Sequence, residues 1–293
     1  MPVTFRWLAA AVAALALVPA VGCGEDDQPK PREPAGYVLS RGDAPATVWA
    51  IGDAGHDGER EATVAKLVKD ANPDQLLYLG DVYETGTREE FQVYDKLWGG
   101  LAPRTAPVLG NHERPNKVRG YDPYWRSKKG TAPPDRYSFR MAGWELIGLN
   151  SETRSAQLAQ TARWLRKRVT RPGDCRLVFW HSARYSAGLV HGDDPSIAPF
   201  WNAVAGHAKL VVNAHEHNMQ RMRPRDGTVQ LISGAGGHGN PYPLRSADPR
   251  LAFANDESDG ALKIELAPGQ AQLEFVDTDG QVLDSTVVRC SRR

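Results

Sequence analysis

The chain has 293 residues, of which 41% are hydrophobic and 24% charged, with a formal net charge of +1. This is the composition of an ordinary globular protein with material for a sizeable core, in one large domain or two small ones. The near-zero charge excludes an electrostatic nucleic-acid binder, which carries a strong basic excess or stripe; small anionic substrates stay open, because a bound metal pair adds local charge that a residue count omits.

At the amino terminus Arg6 precedes an apolar run from Trp7 to Val18, shorter than the ~20 residues that cross a bilayer. It reads as a secretory signal peptide. Ala20-Val21-Gly22-Cys23 resembles a bacterial lipobox, with Ala20 where Leu is usual; Cys23 would then be lipidated and become the mature terminus. The competing reading is a cut after Val18-Pro19-Ala20, which yields a soluble secreted protein. Residues 1–23 are thus signal peptide and lipobox, the polar, Pro-rich residues 24–36 a disordered tether, and residues 37–293 one domain without an internal composition break.

Residues 47–52 form a buried apolar run, and 59–70 a helix with Ala62, Ala65, Leu67 and Val68 on one face, stopped at Asn72-Pro73. Residues 75–80 are the next strand. Residues 88–98 carry Phe91, Tyr94, Leu97 and Trp98 at helical spacing before Gly99-Gly100, and 106–110 are a third strand. Residues 114–135 show no period and are rich in aromatic and basic side chains. They read as a long loop, either a substrate rim or a solvated segment.

Residues 137–139 and 144–150 read as strands turning at Ala142-Gly143, and 155–169 as an amphipathic helix with Leu158, Ala162, Leu165 and Val169 inward. Strand 175–180, helix 195–204 and strands 209–213 and 228–233 follow. After residue 261 the helices stop, and 261–266, 270–276 and 282–289 read as a meander. The alternation indicates an α/β or α+β layered domain, with ligands expected at the carboxyl ends of its strands. If Cys23 is lipidated, Cys175 and Cys290 remain. In an exported chain a disulfide between them would pin the last strand to the one carrying His181; two buried free thiols are the alternative.

Five successive apolar runs end in metal-ligand chemistry: Gly52-Asp53, Gly80-Asp81-Val82-Tyr83, Gly110-Asn111-His112, Trp180-His181, and Ala214-His215-Glu216-His217. None supplies a Cys. Oxygen and imidazole donors suit iron, zinc or manganese, whereas structural zinc wants four closed ligands and often sulfur. In an extended segment His215 and His217 share a side, so both can reach one metal pair.

These five motifs, in this order from about residue 48 to 237, resemble those of the calcineurin-like metallophosphoesterases. Gly55, where most members have a His ligand, together with Tyr83, is similar to the purple acid phosphatases of the small single-domain type. The resemblance implies a layered sandwich of two mixed β-sheets flanked by helices. It implies that Asp53, Tyr83 and His217 hold one metal, that Asn111, His181 and His215 hold the other, and that Asp81 bridges them. The phenolate suits iron(III), and the neutral donors suit a divalent iron, zinc or manganese ion. His112 would act on the leaving group as a catalytic residue, with His191 a second substrate-side His. His56 is offset from the usual ligand position, so a rim role is expected; His207 and His238 read as structural, and Glu113 and Glu216 as orienting groups.

The function implied is hydrolysis of small phosphate monoesters outside the cytoplasmic membrane, with a lipid anchor at Cys23 or as a secreted protein, and without nucleic-acid partners. A phosphodiesterase or nucleotidase on the same centre is the rival enzyme reading. An exported binding protein without turnover is the rival outside enzymes.

Overall fold

The computed structural model describes residues 1–2, 41–56, 58–172 and 175–290. The signal peptide, the lipobox at Cys23 and the tether lie outside the described residues. Among the described residues, no helix is long and apolar enough to cross a membrane.

From residue 41 onward the elements run β1 (Ala46–Ile51), α1 (Glu59–Asp70), β2 (Gln75–Tyr78), α2 (Arg88–Trp98), β3 (Thr105–Pro107), α3 (Asp122–Lys129), β4 (Arg136–Met141), β5 (Trp144–Leu149), α4 (Ser155–Val169), β6 (Cys175–Ser182), α5 (Ala198–Val204), β7 (Leu210–Ala214), β8 (Met219–Met222), β9 (Val229–Ser233), β10 (Leu251–Asn255), β11 (Gly260–Ala267), β12 (Gln270–Asp277) and β13 (Val282–Arg289). One sheet has the order β13-β12-β11-β1-β2-β3, and the other β10-β8-β9-β7-β6-β5-β4. In the first, β1, β2 and β3 are parallel and β11 to β13 form an antiparallel meander. In the second, β5, β6, β7 and β9 are parallel, β4 and β8 flank them antiparallel, and β10 pairs antiparallel with β8. Both sheets are mixed.

Strand periodicity explains the layers. Successive side chains leave a strand on opposite faces, so Val48 and Ala50 of β1 join Leu77, Phe179, Val212, Ile264 and Phe275 in a core between the sheets. Trp49 and Ile51 point the other way, onto Val64, Val68, Phe91, Tyr94, Trp98 and Trp125 of α1, α2 and α3. On the far side Ile147, Val178 and Val211 meet Leu158, Leu165, Phe200 and Val204 of α4 and α5. Covered on both faces, the parallel strands read as continuous apolar runs rather than alternating ones.

Cys175, the first residue of β6, is joined to Cys290, just past β13, by a disulfide with the Cα atoms 5.8 Å apart. It ties an edge of one sheet to the middle of the other.

Two sequence expectations need correction, and two strands went unread. The buried face of α1 is Glu61, Val64, Ala65 and Val68, and Ala62 is exposed; the face is rotated to include a buried carboxylate. Residues 114–129 are not a loop: a 3₁₀ turn and a π-helical turn lead into α3, and only residues 130–135 are irregular. Tyr121 and Trp125 are buried, and the Tyr124 ring stacks on Phe91 at 4.9 Å while its hydroxyl donates to Asp95 at 2.9 Å. Eight residues of helix are too short to display a period. The strands β8 and β10, both outside the parallel set, were not anticipated.

Candidate metal centre

The five motifs meet where the parallel strands of both sheets end. Asp53 follows β1, Asp81 and Tyr83 follow β2, and Asn111 follows β3. His181 lies near the end of β6, and His215 and His217 follow β7. Asp53, Asp81, Tyr83, His181 and His217 are buried; Asn111 and His215 are half-buried.

Two clusters form, and they share one oxygen. The Tyr83 hydroxyl is 2.8 Å from Asp53 Oδ1, 3.1 Å from Asp81 Oδ2 and 3.0 Å from His217 Nε2. His181 Nε2 is 2.9 Å from Asn111 Oδ1, 3.1 Å from His215 Nδ1 and 3.3 Å from the same Asp81 Oδ2.

Hydrogen counting shows what these clusters lack. His181 Nδ1 is used by the Leu79 carbonyl at 2.8 Å, so Nε2, with one proton at most, faces the Asn111 and Asp81 oxygens and the His215 ring nitrogen together. His217 Nδ1 is likewise used by the His238 carbonyl at 2.9 Å, leaving its Nε2 lone pair toward Tyr83. The single Tyr83 hydrogen has three acceptors around it. A proton satisfies one acceptor, whereas a metal ion satisfies all. Imidazoles whose far nitrogen donates to a backbone carbonyl are the usual arrangement for metal ligands, and the donor set fits a pair of ions.

The local backbone is built for this convergence. Asp53, Asp81 and His215 have φ values of 59°, 71° and 74°, in a region that costs side-chain-bearing residues about 1–3 kcal/mol. The turns aim all three at the centre. A Cβ at position 110 would fall 2.0 Å from Asp81 Oδ1, so only glycine lets the end of β3 abut Asp81. At Gly55 a Cβ would meet Val82 Cα at 2.7 Å and the Tyr78 hydroxyl at 2.9 Å. No larger side chain fits there, and the Tyr83 hydroxyl reaches Asp53 and His217 from the next strand end instead. Glu113 holds the two turns together, its Oε2 accepting from Asp81 N and Gly110 N at 3.0 Å each. Glu216 does the same for the outer loop, accepting from His191 N and Gly192 N.

Electrostatics follow from burial. Asp53 sits well above the usual carboxylate range through desolvation and the neighbouring Asp81. Asp81 is held below it: burial pushes its carboxyl up, and the charge and hydrogen bond of His181 outweigh that. His181 is raised in return, Asp81 overcoming desolvation. Burial brings His215 down to about 2 and His217 to about 4, so both are neutral donors over the physiological range. The Tyr83 phenol is raised by burial and by Asp53 and Asp81; a trivalent cation would reverse that sign.

The remaining predicted residues border the centre. His112 Nδ1 meets the Glu84 carbonyl at 2.7 Å, and Nε2 faces inward, 4.0 Å from Asp81 Oδ2. The exposed His191 ring stacks on His215 at 3.9 Å. His56 is outside both clusters, beside Glu61 and His238, and His207 is exposed in the turn after α5. Sequence reasoning missed Tyr242, whose ring lies flat on His217 at 4.0 Å, and the role of His238, which stacks on Tyr83 at 3.5 Å. Both belong to a Gly- and Pro-rich run without period. The capping box of α2 also went unseen. Its Glu90 accepts from Thr87 N and Glu84 N at 2.7 Å each and so holds the loop after Tyr83.

The chain matches the calcineurin-like phosphoesterase family over residues 46–219, more than half of its 293 residues. The chain belongs to the calcineurin-like phosphoesterase family. Its fold is similar to purple acid phosphatase PPD1 of yellow lupin (Lupinus luteus) seeds, at 15% identity over 85% of this chain and 54% of that one, with a TM-score of 0.68. It is also similar to GAP50, described as the anchor in the inner membrane complex of Plasmodium, at 14% identity over 85% and 90% of the two chains, TM-score 0.63. A dimetal phosphatase from Danio rerio matches at 12% identity over 84% and 99%, TM-score 0.60. At such identities the likeness shows a shared fold, and the chain spans about half the length of the lupin enzyme. No curated protein matches the chain by sequence.

Proposed function

We propose that this phosphoesterase is an exported, purple acid phosphatase-like phosphomonoesterase with two metal ions. Asp53, Tyr83 and His217 would hold an iron(III), Asn111, His181 and His215 would hold a divalent iron, zinc or manganese ion, and Asp81 would serve both. The observation that carries this is the position of Asp81 Oδ2, 3.1 Å from the Tyr83 hydroxyl and 3.3 Å from His181 Nε2. One oxygen at the seam of two donor sets is what a bridging ligand requires. Hard anionic donors on one side and neutral donors on the other support unequal ions.

When bound, such a pair supplies an activated water near neutral pH and clamps the oxygens entering and leaving phosphorus. The chain's own groups do the rest. With Nδ1 held by the Glu84 carbonyl, His112 turns Nε2 to the centre, where its protonated form donates to the leaving alkoxide. His191, stacked on His215, stands where it can hydrogen-bond a phosphoryl oxygen. The turns at Asp53, Asp81 and His215 fix the donors before substrate arrives, so catalysis rests on positioning and charge neutralisation.

Export is supported by the amino-terminal apolar run and by the Cys175–Cys290 disulfide, since such bonds persist in oxidising compartments. Cys23 would anchor the chain to the membrane surface. The test is turnover of an aryl phosphate, a bis-aryl phosphate and nucleotides by one metal-loaded preparation. Monoester hydrolysis should dominate and vanish in Asp81→Asn together with the metal. Faster diester or nucleotide turnover would replace the monoesterase reading, and no turnover of any ester would end the enzymatic one.

A further inference from the structure

Beside the paired centre, three more ligand-type atoms converge. His56 Nδ1 is 3.9 Å and His238 Nδ1 3.6 Å from Glu61 Oε1, and ligand atoms of the three residues all lie within 4.8 Å of one another. Those two distances are too long for hydrogen bonds. They approach the edge of about 3.4 Å in a tetrahedron of ligands ~2.1 Å from one ion. The rings agree, with centroids 5.3 Å apart at 63°; two imidazoles on one tetrahedral ion set their centroids roughly 5 Å apart.

Without a cation the His238 side of this group is poorly satisfied. The Glu61 side chain is 4% exposed, on the face of α1 where sequence periodicity calls for an apolar residue, and a buried carboxylate is stable only when paired or coordinated. His238 Nδ1 is buried without a hydrogen-bond partner among the described residues. Its Nε2 is 3.5 Å from Glu84 Oε1, the place taken by an outer carboxylate behind a metal-binding imidazole.

We infer that His56 Nδ1, Glu61 Oε1 and His238 Nδ1 form a third cation site, separate from the pair, for a divalent ion of the zinc class. Two imidazoles and one carboxylate are borderline donors suited to such an ion, and three protein ligands leave a position for water. The site adjoins the centre through His238. That ring lies on Tyr83 at 3.5 Å and 9°, and its carbonyl accepts from His217 Nδ1. Glu84, beyond His238, also presents its carbonyl to His112 Nδ1. A cation here fixes the wall against which Tyr83 and His112 stand, so the three ligands are positioning residues rather than catalytic ones.

The site stands on its own atoms, whatever the pair holds. Wild-type protein, His56→Ala and Glu61→Gln are depleted of metal, loaded with zinc, freed of excess by gel filtration and counted by mass spectrometry. Wild type should retain one zinc ion per chain more than either variant, and the dissociation constant of that ion should rise at least about 100-fold on losing a ligand. The readout is a zinc count, so it needs no phosphatase activity, and an unchanged visible band and unchanged Asp81-dependent zinc in His56→Ala assign the missing ion to this site rather than to the pair. The His56 side chain is 46% exposed, so His56→Ala decides alone if Glu61→Gln does not fold. Equal zinc counts in wild type and His56→Ala would overturn the site.

Discussion

Replacing both Cys175 and Cys290 by serine separates what holds the sandwich from what runs its chemistry. The bond spans 115 residues of sequence, and closing a loop of that length in the unfolded chain is worth about 5 kcal/mol by the chain-entropy relation. A loss of that size lowers the melting temperature of a domain this large by roughly 10–20 °C. The cross-link sits at the start of β6 and His181 six residues further along, which an extended strand places about 20 Å away. Metal content and turnover at 25 °C should therefore match wild type, while urea and thermal midpoints fall. A stability loss under about 1 kcal/mol would show that the bond does not constrain the unfolded chain. Loss of metal alongside stability would refute the claim that the centre is held locally by its strand ends.

Other outcomes follow from the centre itself. His112→Ala should lower kcat by about 10²–10⁴-fold at unchanged metal content; a retained rate would remove His112 from the mechanism. Metal binding should release at least two protons per chain near pH 7. His181, raised above its ordinary value by Asp81, and Tyr83, raised by burial, are protonated without metal and must each lose a proton to ligate. Affinity then strengthens as pH rises toward the His181 value. Calorimetry in buffers of different ionisation enthalpy counts the protons, and none released would contradict the assignment. His217 acts instead on the stability of the metal-free fold. Its value near 4 lies below the roughly 6.5 of an unfolded His, so its share of metal-free stability is present above pH 6.5 and is lost as pH falls toward 4.

The centre was legible because a buried parallel strand is a run of apolar residues, and a run that stops at Asp, Asn or His advertises a polar group where burial ends. Helices α2 and α4 were equally clear, since three or four turns repeat their apolar face often enough to be read. Short elements were not: α3 buries only Trp125, which packs on Tyr94 of α2, and β8 mixes Gln and Arg with Met. The wall around Tyr83 was invisible for a different reason. His238 and Tyr242 reach the centre from an irregular Gly- and Pro-rich run whose path depends on tertiary packing, and Glu61 looks in sequence like one more charged residue in the first turn of a helix.

The most direct test of the paired centre is the visible absorption of the purified protein and of Tyr83→Phe. With Tyr83 bound to iron(III), wild type is violet from a phenolate-to-iron charge-transfer band, and Tyr83→Phe loses the colour. Wild-type protein that holds stoichiometric iron and is colourless would contradict the Tyr83 ligand, and with it the division of the two metal sites.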